Sequence, residues 1–443
     1  LIPSLLLPVL VLAWAASSGV SLATALIGYA VGSAATFALT LVLERLSTFA
    51  TFGLGILSRA TFGVFGNLLP ALVNVLFRVL AFATLLWVAA TEMKTTVAGV
   101  DLGQTLNGVP TLTVVTVVAV ILGLGISMSR KNFRDWLATG VFALTIFWIL
   151  FAAIYLRPDA LSFGEINFGQ VILITVVLVL ANAAIGGLGL LENESEGESL
   201  GLKIALRYLL PLAIVGLLGS AFLTNHLLSS TLGDESLYRL VASSDSWFGT
   251  FTNIMFVLIA VAFASQMIRF CADALESFFI KTRVAYIVAA LLAIGLLLAV
   301  WLVPGLHTIL SPTLLLLLCG PATWLGMLFA ETLLRRHPFH EVSLMRGYGF
   351  YRRVSIFAVV GYLAFFAFAL AVLPIPGVPF LGMAAPYLDS YLLLGDLSAP
   401  IYGLLFGLLW TLATSLPKIH RQESDIAAID ERKQQIAGVQ IPS

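Results

Sequence analysis

The feature that most constrains this chain is a succession of apolar runs, each about as long as a bilayer is thick, separated by short polar joints. A helix rising 1.5 Å per residue needs roughly 20 mostly apolar residues to cross the hydrocarbon core. Reading the runs predicts twelve spans, at about 3–16, 21–43, 67–91, 110–128, 135–156, 168–191, 203–223, 248–278, 282–303, 307–333, 351–374 and 397–416. The runs are continuous rather than alternating, which excludes a barrel of ten-residue strands. Only 10% of the 443 residues are charged and 60% are hydrophobic, with a mean hydropathy of +1.03. A soluble domain is about a quarter charged. That balance excludes a cytosolic enzyme, a nucleic-acid binder and a disordered chain. The chain begins at Leu1 and its first run is short, as a clipped helix would be, so the expectation is that an N-terminal piece precedes it.

The charges cancel overall, 23 basic against 23 acidic, but their placement is one-sided. Joints and helix ends after even-numbered spans hold fourteen basic residues: Arg45, Arg59, Arg130, Lys131, Arg134, Lys203, Arg207, Lys281, Arg283, Arg335, Arg336, Arg346, Arg352 and Arg353. Those after odd-numbered spans hold three, Lys94, Arg157 and Arg239. Cytoplasmic loops carry the excess of Lys and Arg, so both termini are expected in the cytoplasm and the membrane is expected to be the plasma (inner) membrane. The segment from Lys418 to Ser443 is polar and mildly amphipathic, with Ile426, Ala427, Ile429 and Ile436 among charges. It reads as a solvated cytoplasmic helix, with a docking helix for a protein partner as the alternative. Residues 1–416 are read as one transmembrane domain and 417–443 as a cytoplasmic tail.

Neither cysteine, Cys271 or Cys319, sits in a CxxC or Cys/His cluster, so no disulfide framework or structural metal is expected. No Ser/His/Asp, HExxH, phosphate-binding or dinucleotide-binding pattern occurs in a usable setting, so an enzyme is disfavoured.

Ser58–Asn74, SRATFGVFGNLLPALVN, resembles the Ser-Arg-x-x-Phe-Gly-x-x-Gly stretch that leads into span 3 of the purine/cytosine permeases, the nucleobase–cation symporter family. Ser21–Leu39 resembles that family's small-residue span 2. Ala330–Leu344 resembles its cytoplasmic loop after span 10, where an acidic residue precedes a basic pair, and Phe270–Arg283 resembles the end of its span 8. The resemblance implies an all-α, LeuT-type fold: two inverted five-helix repeats (about 1–156 and 168–333) followed by two further helices (about 351–416). It implies a secondary transporter working by alternating access, with solute held near the midplane by helices 1, 6, 3 and 8. Pro3 and Pro8 in span 1, and Asn182 with Gly186, Gly187 and Gly189 in span 6, are the interruptions such a pair of broken helices needs.

The chain departs from the family where a nucleobase would bind. The family's span 3 places a tryptophan near Ala81 and an amide near Leu85; here Phe82 is the nearest aromatic. At the expected sodium position stand Ala260, Val261 and Ala262, with Ser265 the first hydroxyl. A hard cation takes several oxygen ligands, so the coupling ion is open between sodium, a proton and none, and no other cofactor is expected.

Charges inside spans are functional candidates by default. Arg78 lies within span 3, and Arg269 and Asp273 lie one turn apart on span 8. One reading is structural: Arg269 pairs with Asp273 four residues on, and Arg78 meets carbonyls or Glu276. A second is an arginine-lined cavity for a small anionic or polar solute. A third makes Asp273 a proton relay. Glu331, next to Arg335 and Arg336, reads as a surface ion pair. The candidate solute site is Arg78, Phe82, Thr84, Asn182, Gln266, Arg269 and Asp273, with Ser265 for a cation. The alternative function is a non-transporting membrane subunit or sensor that kept the fold and lost the site. The expected partners are the lipid bilayer and a small-molecule solute, not nucleic acid.

Overall fold

The computed structural model describes residues 54–91, 109–130, 164–185, 247–303, 305–335, 351–388 and 398–439 continuously, with scattered positions elsewhere, among them parts of 20–38 and 133–147. Expected spans 3–16 and 203–223, and the glycines at 186–189, lie outside the described residues.

Long apolar helices dominate. In chain order they are α1 (Leu54–Leu57), α2 (Arg59–Phe62), α3 (Leu68–Thr91), α4 (Thr111–Ser127), α5 (Phe168–Ile185), α6 (Trp247–Glu276), α7 (Thr282–Leu302), α8 (Leu306–Leu334), α9 (Ile356–Val372), α10 (Ala385–Leu388) and α11 (Ala399–Val439). Among the described residues four stretches are long and apolar enough to cross a membrane: Val257–Leu275, Thr282–Leu302, Pro312–Leu334 and Ala399–Ser424. Shorter apolar helices lie in α3, α4, α5 and α9. Two small antiparallel ladders, Thr96–Val97 with Val100–Asp101 and Thr105–Leu106 with Val109–Pro110, join α3 to α4.

The chain divides into two compact units that draw on separate stretches: 1–38, 75–187 and 195–314 form one, and 39–74, 188–194 and 315–443 the other. In the first, α4, α6 and α7 pack together. Membrane helices gain little from burying apolar surface against one another, since lipid is equally apolar, so small residues that let backbones approach decide where they meet. Gly123 of α4 lies so close to Ala264 and Ser265 of α6 that an added Cβ would stand 2.8 Å from the Ser265 nitrogen. Arg134 donates to the Ser127 carbonyl at 2.9 Å, closing the end of α4. Residues 27–32 are helical, and Gly28 and Gly32 lie against Ile174 and Leu178 of α5.

In the second unit α9 packs on α11. Gly403 and Gly407 of α11 and Gly326 of α8 set backbone against backbone: an added Cβ at Gly407 would meet the Thr323 carbonyl oxygen, and one at Gly326 the Leu404 carbonyl oxygen. Helix α8 runs unbroken through Gly320-Pro321, and Gly320 leaves room for Val73 and the Tyr362 hydroxyl. Helix α11 continues through Pro417 to Val439, so the polar segment after residue 417 extends the last span without a break.

Candidate functional site

In the first unit, α3 and α6 carry most of the expected site residues. The Arg78 guanidinium donates to the Phe270 carbonyl. One turn further along α3, Phe82 meets Phe263 edge to face, with centroids 5.9 Å apart. Going up α3 from 78 to 82 corresponds to going down α6 from 270 to 263, so the two helices run antiparallel here. On α6, positions 263, 266 and 270 fall on one face at helical spacing, which puts Gln266 on the face that meets α3.

Arg78 therefore ties the two helices through a backbone carbonyl. Its charge also feels the Asp273 carboxylate one turn along α6. Arg269 and Asp273 are both half-buried, four residues apart on that helix. The side chain of Glu276 lies outside the described residues. Phe82 is fully buried and packs on Phe263, so it offers no open ring face to a solute. Among the described residues, Oε1 of Gln266 and Oγ1 of Thr84 are buried without a hydrogen-bond partner. Leaving such a group unmet costs about 1–3 kcal/mol, and Gln266 Oε1 is such a group on the face of α6 that meets α3. Thr84 stands two residues from Phe82, on the far side of α3. Asn182 lies in the helical stretch of α5, and its side chain is outside the described residues.

Ser265 faces α4. Ser127 Oγ lies 3.0 Å from its carbonyl and 3.4 Å from its hydroxyl, and 2.8 Å from the Gly123 carbonyl in its own helix. These are contacts of a close helix crossing, beside the hydroxyl on which the expected cation position rests. Ser127 was not singled out in the sequence; its spacing four residues after Gly123, opposite Ala264-Ser265, is the small-residue pattern that could have found it.

The Ser-Arg-x-x-Phe-Gly stretch forms a tight structure in the second unit. Ser58 Oγ bonds Asn67 Oδ1 at 2.7 Å, and Asn67 Nδ2 donates to the Gly55 carbonyl at 2.8 Å. Arg59 is 2% exposed and donates to the Leu344 carbonyl at 3.1 Å; burial pulls its guanidinium below its usual value without reaching neutrality. Gly63 has φ +86°, and a side chain there would strike the carbonyl oxygens of Arg352 and Arg353. Those carbonyls accept from the backbone N–H groups of Val64 and Phe65, and Ser355 N–H returns a bond to the Phe62 carbonyl at 2.7 Å. The motif glycines thus let two chain segments bond through their backbones.

Glu331 requires a correction. It is fully buried rather than at the surface. Arg335, one turn on, donates to it at 2.5 Å and to Gln422 Oε1 at 2.7 Å. Lys418 lies 3.5 Å from the same carboxylate and donates to the carbonyls of Ala60 at 2.7 Å and Thr61 at 3.1 Å. The Arg335 guanidinium also lies over the rings of Phe339, at 4.8 Å, and Tyr351, at 5.6 Å. A charge out of water must be paired and hydrogen-bonded, and three elements converge to do that here. The sequence held a signal: Glu331 and Arg335 are four apart, and so are Lys418 and Gln422.

No protein-family profile matches the chain, and no curated protein matches it in sequence. Among solved structures the chain is similar to Mhp1, a nucleobase-cation-symport-1 family transporter, in a closed conformation with bromovinylhydantoin bound. The TM-score is 0.61 at 15% identity, over 96% of this chain and 92% of that one. At that identity the likeness speaks for the fold. The expected LeuT-type architecture is the fold of this neighbour, and the apolar helices make the chain an integral membrane protein with a membrane transporter's fold.

Proposed function

We propose that this protein is a secondary transporter of a small polar solute, working by alternating access. Its twelve spans would form two inverted five-helix repeats plus two helices, within residues 1–416, with both termini in the cytoplasm and the plasma membrane as its location. The observation that carries the reading is an end-to-end likeness to a transporter fold, combined with a buried, unpartnered acceptor, Gln266 Oε1, on the face of α6 that meets α3. An acceptor in that position calls for a solute N–H or O–H. Arg78, Arg269 and Asp273 supply charge of both signs nearby, and Thr84 and Asn182 are the further polar candidates. Sodium or a proton is the coupling ion, with Ser265 the weakest member of the set because Ser127 lies against it.

The solute bound by the neighbour is a hydantoin ring. Here Ala81 and the closed Phe82–Phe263 pair leave no stacking platform on this part of α3, which favours a smaller or less flat solute than cytosine or a purine. The same closure supports a second reading, a membrane subunit or sensor that kept the fold and lost the site, with α11 beyond Pro417 as the docking element for a protein partner.

Proteoliposomes and a solute panel of small amides, hydantoins and carboxylates separate the two. Uptake that follows an imposed sodium or proton gradient, and that fails in Gln266→Leu protein of unchanged stability, is the expected result. Absence of uptake and of any thermal shift across the panel, with a protein partner co-purifying in fixed ratio, would replace it with the subunit reading.

A further inference from the structure

From Val354 to Leu388 the chain carries no charged residue, yet α9 ends at Val372. The segment after it, residues 373–388, is therefore as apolar as a span while being folded as a loop. Its large side chains point outward: Phe380 is 77% exposed, Met383 64% and Tyr387 80%. In water that is an apolar patch with nothing to hide it.

The backbone of this loop is built unlike that of a solvated one. Four residues, Pro374, Pro376, Pro379 and Pro386, have no N–H to satisfy. Seven of the other twelve are bonded inside the protein, the first being Leu373, which donates to the Ala369 carbonyl at 2.9 Å. Val378 donates to the Ile375 carbonyl at 3.1 Å, Leu381 to Val378 at 3.1 Å, Ala385 to Gly382 at 3.0 Å and Tyr387 to Ala384 at 3.1 Å. Gly382 and Ala384 reach back to the Leu370 and Ala371 carbonyls of α9, at 3.0 and 2.8 Å. Those are last-turn carbonyls, which a helix end otherwise leaves open. Gly382, at φ +75°, lies where any Cβ would stand 2.5 Å from Pro374 Cα, so the fold-back is tight. Of the sixteen backbone positions from 373 to 388, four lack the N–H and seven have it bonded, which lowers the cost of entering lipid.

We infer that residues 374–388 form an interfacial wedge that inserts into the bilayer at the end of α9, with Phe380 and Met383 in the acyl region and Tyr387 at the headgroup level. Lipid is the occupant because the patch continues the outward face of α9, where Phe357, Val360, Leu363 and Phe368 are exposed and apolar. An aromatic with a polar tip belongs at the headgroup boundary. On the orientation expected from the basic residues, the wedge lies in the outer leaflet.

Nitroxide labels at F380C, M383C and Y387C test this in nanodiscs, with V360C on α9 as the lipid standard and S424C on α11 as the water standard. Both native cysteines are buried, and none of the three substituted side chains is part of the packed interior. The expected result is a ratio of oxygen to water-soluble nickel-chelate collisions several-fold higher at 380 and 383 than at 424, close to that at 360, with 387 between. A ratio at 380 equal to that at 424 places the loop in water and overturns the wedge. Low collision with both reagents at 380 and 383 means that protein covers the patch, and overturns it equally.

Discussion

Two buried charges behave differently when their partners are counted. Arg78 donates to the Phe270 carbonyl and so ties α3 to α6. Arg78→Gln retains a donor but not the charge. We expect folded, monodisperse protein that has lost roughly tenfold or more in solute affinity, the scale of one hydrogen bond to a charged group; loss of folded protein would make Arg78 structural. Glu331 is the reverse case, a single carboxylate serving two cations. Glu331→Gln leaves Arg335 and Lys418 facing each other out of water, and is expected to destabilise by about 3–5 kcal/mol, as when one member of a buried pair is removed. Adding Lys418→Met should recover part of that loss. A double-mutant cycle read by thermal unfolding checks both statements. The sequence marked Arg78, Arg269 and Asp273 because ionisable residues stand out in apolar runs. It misjudged Glu331 because Lys418 lies 87 residues away in the chain, and neighbours that far apart leave no local pattern.

Elements were more legible than contacts. Helices α3, α4, α6, α7 and α8 begin and end within two residues of the runs that predicted them, since a membrane helix is set mainly by the length of apolar sequence. The last span and the helical tail are read as separate from the sequence, and the structure joins them in α11: hydropathy falls at Pro417, but the backbone goes on, and Lys418 and Gln422 are bonded to neighbouring elements. Ending the chain after Leu416 is expected to abolish monodisperse behaviour in size-exclusion chromatography, whereas ending it after Ser424 keeps both bonds and should preserve it. The motif before α3 was legible as a pattern and not as a structure. Its Gly63, at φ +86° and ψ +161°, holds an extended positive-φ conformation essentially confined to glycine, pressed on two carbonyl oxygens. Gly63→Ala should cost at least about 1–3 kcal/mol from backbone conformation alone, read as a lower unfolding temperature.

For the whole molecule, orientation rests on fourteen basic residues against three. Cysteines placed between the expected spans 203–223 and 248–278, and at Lys131, should label from opposite sides of sealed vesicles with a membrane-impermeant maleimide; labelling of both from one side contradicts the orientation. The missing platform at Ala81 and Leu85 makes a chemical prediction at the same scale: calorimetry should detect no micromolar binding of cytosine or adenine. The fold was legible from apolar runs and one motif, because both report on the backbone. The solute was not, because a binding site is a set of side chains from distant stretches, and only some of them, such as the closed Phe82–Phe263 pair, can be judged once neighbours are known.

The cluster around Glu331 also has a direction in time. Chains are made from the N-terminus, so α8 exists before α11. For that interval Glu331 has Arg335 as a partner, while Lys418 and Gln422 have not yet been made, and the Ala60 and Thr61 carbonyls still await the ammonium that will cap them. The glycine seam between α8 and α11 cannot form earlier either, since half of it is absent. Arrival of α11 then completes a polar joint and a backbone contact in one docking event. A nascent chain halted between α9 and α11 would carry an incomplete charge cluster, with Glu331 paired to Arg335 alone.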